Sequence, residues 1–381
     1  MILKRHQTDF PSIPQAKRYP PWAPRFWNGV NAGTYARLLW NNRYRIHPSK
    51  IPMTILVGAC TPLNSILSLV QKIVYTKKIS QTKLIDPPIF IIGHWRSGTT
   101  LLHEILVQDN RFGFSSTFDC FVPQHFLISR LLLSPILRLL FPKHRPMDNM
   151  AAAIDLPQED EFAMFGCDVP TPYWRIAFCN QLDQSVDLLN FKNCDESTLM
   201  QVHDGFSKFY QALTLRDQKP LILKSPTHTG RLAKFMGWFP NAKFIHISRD
   251  PHQIIPSTMR LWQALDETQS FQRPKYTSQD LLDYIFHCFQ AMYDGYFSAR
   301  GLLSEDRLIE VRFEDLVANP LTLLASIYEQ LQLDQFEKYR ERFEDVLADR
   351  RDYQPQKHEL EPGLRRRIDA ECQKYMSEFG Y

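Results

Sequence analysis

The chain has 381 residues, of which 44% are apolar, 13% aromatic and 23% charged, enough for a large buried core and too apolar for an intrinsically disordered or collagen-like chain. The net charge of +4 is unevenly spread: residues 1–50 hold nine Lys/Arg and one acid, a sum of +8, which leaves −4 for residues 51–381. The seven cysteines (Cys60, Cys120, Cys167, Cys179, Cys194, Cys288, Cys372) form no CxxC pair, and there is no HExxH and no EF-hand loop. No metal site or disulfide framework is therefore expected, and reduced thiols suit a cytoplasmic compartment.

Met1-Ile2-Leu3 runs straight into Lys4-Arg5 with no apolar stretch behind it, so no secretion signal is expected. Residues 1–35 are rich in proline and aromatic side chains and read as an extended arm laid on a surface. Residues 36–80 read as two helices divided near His47-Pro48. Residues 51–70 carry no charge, yet Pro62 should break or kink a helix there, and the run is marginal for a span of about 20 residues. It reads as a core helix or an interfacial amphipathic segment. The apolar run 131–141 is interrupted by Pro135 and Arg138 and is too short to span.

From there the pattern changes. Ile89-Phe90-Ile91-Ile92 is a continuous apolar run of the kind found in buried parallel strands. A polar, glycine-flanked loop follows, and a helical pattern starts at Thr99. Further strands are predicted at 221–223, 243–248 and 308–311, with helices from about 229 to 239, after Asp250-Pro251 and after Asn319-Pro320. This alternation predicts a three-layer α/β domain with a central parallel sheet of four or five strands. It occupies residues 86–332, behind a basic, aromatic- and proline-rich arm and helical extension over 1–85 and before a C-terminal helical cap over 333–381. The last helix should lie near 362–379. Ligands in such sheets bind beyond the carboxyl ends of the strands, which singles out residues 93–100, 224–228 and 249–257.

Gly93-His94-Trp95-Arg96-Ser97-Gly98-Thr99-Thr100 opens a helix, where backbone N–H groups and the helix dipole favour an anion. Arg96 adds charge, Gly98 allows close approach, and Ser97, Thr99 and Thr100 add hydroxyls. A Walker A loop would end Gly-Lys-Ser/Thr; this one ends Gly-Thr-Thr with its cation earlier. That suits a monophosphate-like group bound without metal. A P-loop-type kinase and a non-catalytic, membrane-associated nucleotide-binding protein stay open as alternatives.

Residues 90–102 resemble the 5′-phosphosulfate loop of the sulfotransferases that use 3′-phosphoadenosine 5′-phosphosulfate (PAPS). Arg249, with Ser257 eight residues on, is similar to that family's 3′-phosphate signature. The segment Val311-Arg312-Phe313-Glu314-Asp315-Leu316 through Pro320 resembles a late strand-to-helix element of the same fold. The three motifs fall in family order over about residues 88–332. The resemblance implies a P-loop-like fold, PAPS as co-substrate with no metal required, and a nucleotide site formed by His94, Trp95, Arg96, Ser97, Gly98, Thr99, Thr100, Arg249 and Ser257.

It also implies transfer of a sulfuryl group to an acceptor hydroxyl or amine, with Arg96 and Lys224 as candidate cations beside the reacting group. The base is left open. His228 ends Lys224-Ser225-Pro226-Thr227-His228, similar to the Lys-Thr-His stretch of the cytosolic enzymes but two residues later than that pattern. Glu159 and Glu161 in Pro157-Gln158-Glu159-Asp160-Glu161-Phe162-Ala163 are the acidic rivals, though acids in a first turn also serve the helix dipole. Asp119 is a third candidate.

Residues 112–178 are strongly aromatic (Phe112, Phe114, Phe118, Phe121, Phe126, Phe162, Phe165, Tyr173, Trp174, Phe178) and form either core or an apolar acceptor pocket. A pocket would favour a hydrophobic small molecule or lipid. The tail cations Lys357, Arg365, Arg366 and Arg367 do not match the family's basic closing segment. The basic arm, with aromatics among its cations and the uncharged run behind it, favours peripheral docking on a membrane over nucleic acid.

Overall fold

The computed structural model describes residues 24–140, 153–348 and 360–381. Its centre is a parallel four-stranded sheet in the order β2-β1-β3-β4, with β1 at Ile89–Ile92, β2 at Ile222–Lys224, β3 at Lys243–Ser248 and β4 at Leu308–Arg312. Ile89 lies opposite Ile222 on one side and Lys243 on the other. β1 and β2 are buried throughout, because helices cover both faces of the sheet. The pleat sends Phe90 and Ile92 into one core and Ile89 and Ile91 into the other. From β1 the chain moves outward to β2 and then crosses back to β3. The loops after β1 and β3 therefore part and leave a crevice at the carboxyl edge.

The helices follow in chain order. Before the sheet come α1 (Ala32–Asn41) and α2 (Ile51–Gln81). Between β1 and β2 lie α3 (Thr99–Leu106), α4 (Thr117–Phe121), α5 (Phe126–Leu140), α6 (Glu161–Gly166), α7 (Trp174–Ala177) and α8 (Glu196–Asp217). α9 (Leu232–Trp238) leads to β3; α10 (Pro251–Gln269) and α11 (Ser278–Ala299) lead to β4. After β4 come α12 (Phe313–Ala318), α13 (Pro320–Gln330), α14 (Phe336–Ala348), α15 (Pro362–Glu371) and α16 (Gln373–Phe379).

Four sequence expectations need correction. Pro62 does not break its helix: α2 runs unbroken for 31 residues. A proline at 62 cannot donate to the carbonyl of Gly58, and the Thr61 hydroxyl donates to that carbonyl instead, at 2.9 Å. The resulting helix is long and apolar enough to cross a membrane, with only 17% of its most apolar window buried. Second, the arm's first 23 residues lie outside the described ones, but its described end is core. Trp27 is fully buried, with its Nε1 donating to the carbonyl of Gln269 at 2.5 Å, and Phe26 stacks on Phe162. Third, the helix expected from 229 is shorter: a 3₁₀ turn, Pro226–His228, precedes α9. Fourth, the last helix is two, divided at Cys372.

Candidate active site

The loop after β1 turns through left-handed backbone at Gly93, Arg96 and Gly98. Glycine is needed at both of its positions. A Cβ on Gly98 would sit 2.3 Å from the Phe313 ring, and one on Gly93 would sit 2.5 Å from the carbonyl of Ile247. Thr229 clamps the loop's first residue, its hydroxyl accepting from Gly93 N and donating to Gly93 O. α3 starts directly behind, and its first-turn N–H groups have no intrahelical acceptor. Ser97 Oγ is buried without a partner among the described residues. These features fit a bound oxyanion. His94 is fully buried, and burial pushes its imidazole down to about 4. It is therefore a neutral packing group against Phe289 rather than a cation for the anion.

β3 delivers the second half. Arg249 Nη1 donates to the carbonyl of Arg96 at 2.9 Å, and Arg96 Nε donates to Ser257 Oγ at 3.0 Å. The residues of the two phosphate motifs, 161 positions apart at their widest bond, thus meet across the crevice. Arg260, one turn beyond Ser257 on α10, joins them. Burial and the neighbouring Arg96 charge push its guanidinium down from its ordinary value. Like charges gathered at one place favour an anion between them. Nothing in the motif spacing marks Arg260; its position i+3 from Ser257 on a helix is the available signal.

The end of Arg249's strand is held by the C-terminal cap. The Tyr375 hydroxyl accepts from Arg249 N and donates to Arg249 O, at 2.9 and 3.0 Å. Tyr381 reaches Ser248 Oγ and donates to Glu314. These contacts of the tail are made by tyrosines. Lys357 lies outside the described residues, and Arg367 pairs with Asp283.

The candidate catalytic residues separate sharply. Lys224 Nζ, almost wholly buried at the end of β2, lies 3.4 Å from Thr100 Oγ1 and 3.0 Å from Glu159 Oε1. Glu159 reaches this point because residues 113–116 run along β2 and residues 157–160 run along them. Ile222 N donates to Gly113 O, Gln158 N to Ser115 O and Asp160 N to Lys224 O. The other oxygen of Glu159 accepts from the Tyr173 hydroxyl at 2.5 Å, and that hydroxyl accepts from Trp95 Nε1 at 2.9 Å. Burial, with the Glu159 charge, holds the Tyr173 phenol well above its usual range, so it stays a donor. A connected chain therefore runs Thr100–Lys224–Glu159–Tyr173–Trp95, and Glu159 keeps 16% of its side chain open. Tyr173 stood in the aromatic run without a role; it reaches Glu159 from the turn Pro172–Tyr173 that leads into α7, which no spacing rule marks.

Glu161 and His228 sit differently. Glu161 is completely buried, pairs with the equally buried Arg231 at 2.6 Å, and accepts from the hydroxyls of Thr171 and Thr227 at 2.6 and 2.7 Å. All its capacity is spent inside the fold. His228 is also fully enclosed, its Nε2 on Asp160 at 2.9 Å and its ring against Phe235 and Phe206. Asp119 caps α4 through Ser116 and pairs with Arg130 and Arg216. Of the ten described aromatics over 112–178, seven are buried as core; Phe114, Phe162 and Trp174 are partly open. Phe162 packs between Phe26 and Tyr173, beside Glu159.

Comparison with known proteins identifies the family. The family model described as "Sulfotransferase family" matches residues 87–338. Omega-hydroxy-beta-dihydromenaquinone-9 sulfotransferase Stf3 of Mycobacterium bovis and that of Mycobacterium tuberculosis are each 36% identical over 370 residues, covering 97% of this chain and 95% of theirs. The fold is shared with sulfotransferase STF9 of Mycobacterium avium (TM-score 0.63, 16% identity, 92% of this chain and 96% of that one). It is also shared with sulfotransferase STF1 of M. tuberculosis (TM-score 0.62, 18% identity, 82% and 84%). Nearly end-to-end similarity to a named sulfotransferase, together with the family match, shows that this chain belongs to the sulfotransferase family and is a sulfuryl-transferring enzyme.

Proposed function

We infer that this sulfotransferase takes its sulfuryl group from PAPS and passes it to a hydroxyl of a hydrophobic, lipid-like acceptor. The observation that carries the reading is the bonded chain from Thr100 in the phosphate loop through Lys224 to the partly open carboxylate of Glu159. It sets a cation and a base side by side at the edge of an anion cradle. The lipid character of the acceptor is drawn from the relative whose name gives a hydroxylated menaquinone derivative as its substrate.

The donor supplies an activated sulfuryl group whose S–O bond to phosphate breaks, with the electron pair leaving on phosphoadenosine phosphate, as the acceptor oxygen bonds to sulfur. Residues 93–100 and the start of α3 hold the 5′ end through backbone N–H groups and the Ser97, Thr99 and Thr100 hydroxyls. Arg249, Arg260 and Ser257 hold the 3′-phosphate. Lys224 and Arg96 stabilise charge that develops on the sulfuryl and leaving oxygens. Glu159 takes the acceptor's proton as its oxygen attacks, with Tyr173 and Lys224 fixing the carboxylate. Glu161 and His228 act as structural groups behind it.

The test is incubation with PAPS and either an ω-hydroxylated isoprenoid quinol or a water-soluble phenol, read by mass spectrometry. A sulfated lipid product that disappears in Glu159→Gln supports the reading. Sulfation of the phenol alone refutes the acceptor class, and titration calorimetry showing no binding of phosphoadenosine phosphate refutes the donor.

A further inference from the structure

We propose that the joined outer faces of α2 and α5 dock the enzyme on an anionic lipid bilayer, with α2 lying along the bilayer surface. Large aliphatic side chains stand open along both helices: Ile55, Ile66 and Ile73 are 66%, 61% and 75% exposed, and Leu131 and Leu139 are 90% and 85% exposed. Single exposed aliphatics are ordinary on soluble proteins; a series of them along two helices packed on each other marks an interaction surface. The helices are joined directly, Leu127 N donating to Gln71 Oε1 at 2.9 Å.

The opposite face of α2 is committed to the body of the protein. Asn64 Nδ2 donates to the carbonyls of Asn28 and Val30 at 2.6 and 3.0 Å, the Tyr35 hydroxyl donates to Thr54 O at 2.7 Å, and Ser65 Oγ accepts from Ala32 N at 2.9 Å. The helix therefore cannot roll its apolar stripe inward. Nor can it leave the domain to cross a bilayer without breaking these bonds, although its length would allow a span. A helix with one face bonded to a soluble body and the other apolar is built to lie in an interface.

Charge identifies the occupant. Between Asp9 and Asp86 the sequence has no acidic residue, while Lys50 and Lys72 bracket the uncharged stretch, and Lys77 and Lys78 follow on the exposed last turns of α2. Cations flanking an apolar face complement anionic headgroups. In a symmetric dimer through this face, the same lysines would meet like charges. The face is also close to the chemistry. Arg130 on α5 binds Asp119 on α4 at 2.8 Å, and Cys120 on α4 touches the carbonyl of Glu159 at 3.3 Å. The inference rests on exposure and charge and does not require a lipid acceptor.

The experiment is flotation of the full chain with vesicles of phosphatidylcholine alone or mixed with phosphatidylglycerol. The protein should float with the mixed vesicles, less so in high salt and little with phosphatidylcholine alone. A variant carrying Ile66→Gln, Ile73→Gln, Leu131→Gln and Leu139→Gln should lose about tenfold or more of the bound fraction while its melting temperature is unchanged. A second variant, Lys72→Glu with Lys77→Glu and Lys78→Glu, should lose the preference for anionic vesicles. Three results overturn the proposal: no flotation of the wild-type chain, flotation unaffected in both variants, or a lipid-free dimer that the aliphatic variant dissociates. Retention of the wild-type chain in membranes through alkaline carbonate washing would overturn the in-plane placement in favour of a span.

Discussion

Glu159 and Glu161 are two residues apart, yet their substitution should fail in different ways. In Glu161→Gln the buried Arg231 loses its counter-charge, both side chains being wholly inaccessible. The new amide presents N–H groups where Thr171, Thr227 and Arg231 now donate. Breaking a buried pair from one side costs about 3–5 kcal/mol, a large part of a typical stability of about 5–15 kcal/mol. Unfolding entropy for a chain of 381 residues is about 0.8 kcal/mol/K, so the melting temperature should fall by about 4–6 °C. Per folded molecule, kcat should change little. Glu159→Gln also takes a counter-charge from the buried Lys224, but the group it replaces is partly open where Glu161 is sealed, so the loss of stability should be smaller, while kcat falls about 10²–10⁴-fold with donor affinity kept. Differential scanning fluorimetry and single-turnover sulfation on the same two preparations make the comparison. A Glu161→Gln enzyme that melts like wild type and has lost its chemical step would refute the assignment of the two carboxylates.

Other substitutions probe the anion cradle and the core. Arg249→Ala should weaken phosphoadenosine phosphate binding about 10- to 150-fold by calorimetry; an unchanged affinity would remove Arg249 from the 3′-phosphate site. Gly98→Ala forces a Cβ into Phe313 at a φ of +107°, and the Phe313 ring lies under the Arg249 guanidinium. Donor affinity should therefore drop about tenfold or more with about 1–3 kcal/mol of stability, and a variant that binds normally would show that the loop is not held as described. His246 stacks between Tyr296 and Phe379 with neither ring nitrogen partnered among the described residues, and burial pushes it down to about 3. Its folded value lies below the unfolded 6.5, so its neutral form is favoured; its stability contribution is complete above 6.5 and is lost as pH falls, reaching about 2 kcal/mol by pH 5. His246→Phe should flatten the acid limb of a melting-temperature profile between pH 6.5 and 5, and an unaltered limb would exclude this histidine as its source.

The parts legible in the sequence were those whose signal is local. Ile89-Phe90-Ile91-Ile92 reads as a doubly covered strand because every one of its side chains meets a core. The loop from Gly93 to Thr100 reads as an anion site because its glycines, hydroxyls and helix start are contiguous. What stayed hidden depends on contacts between distant residues. Nothing near position 159 announces Lys224, 65 positions on, or separates the open Glu159 from the sealed Glu161. Pro62 looked like a helix breaker because the rule considers the lost backbone donor and not the hydroxyl of Thr61 that replaces it. The cap's hold on Arg249 came through tyrosine hydroxyls on backbone atoms, a role that no motif records.

The bond from Trp95 Nε1 to Tyr173 gives the enzyme an optical reporter of its own. The indole belongs to the phosphate loop, packs edge-on to Trp262 with ring centres 5.3 Å apart, and is one hydrogen bond from the phenol that holds Glu159. A ligand that draws on the loop or on Glu159 should change the polarity at that indole. Emission intensity and wavelength should follow occupancy in a stopped-flow cell without a label, and the part of the signal lost in Trp95→Phe would isolate events at the cradle from those elsewhere in the protein.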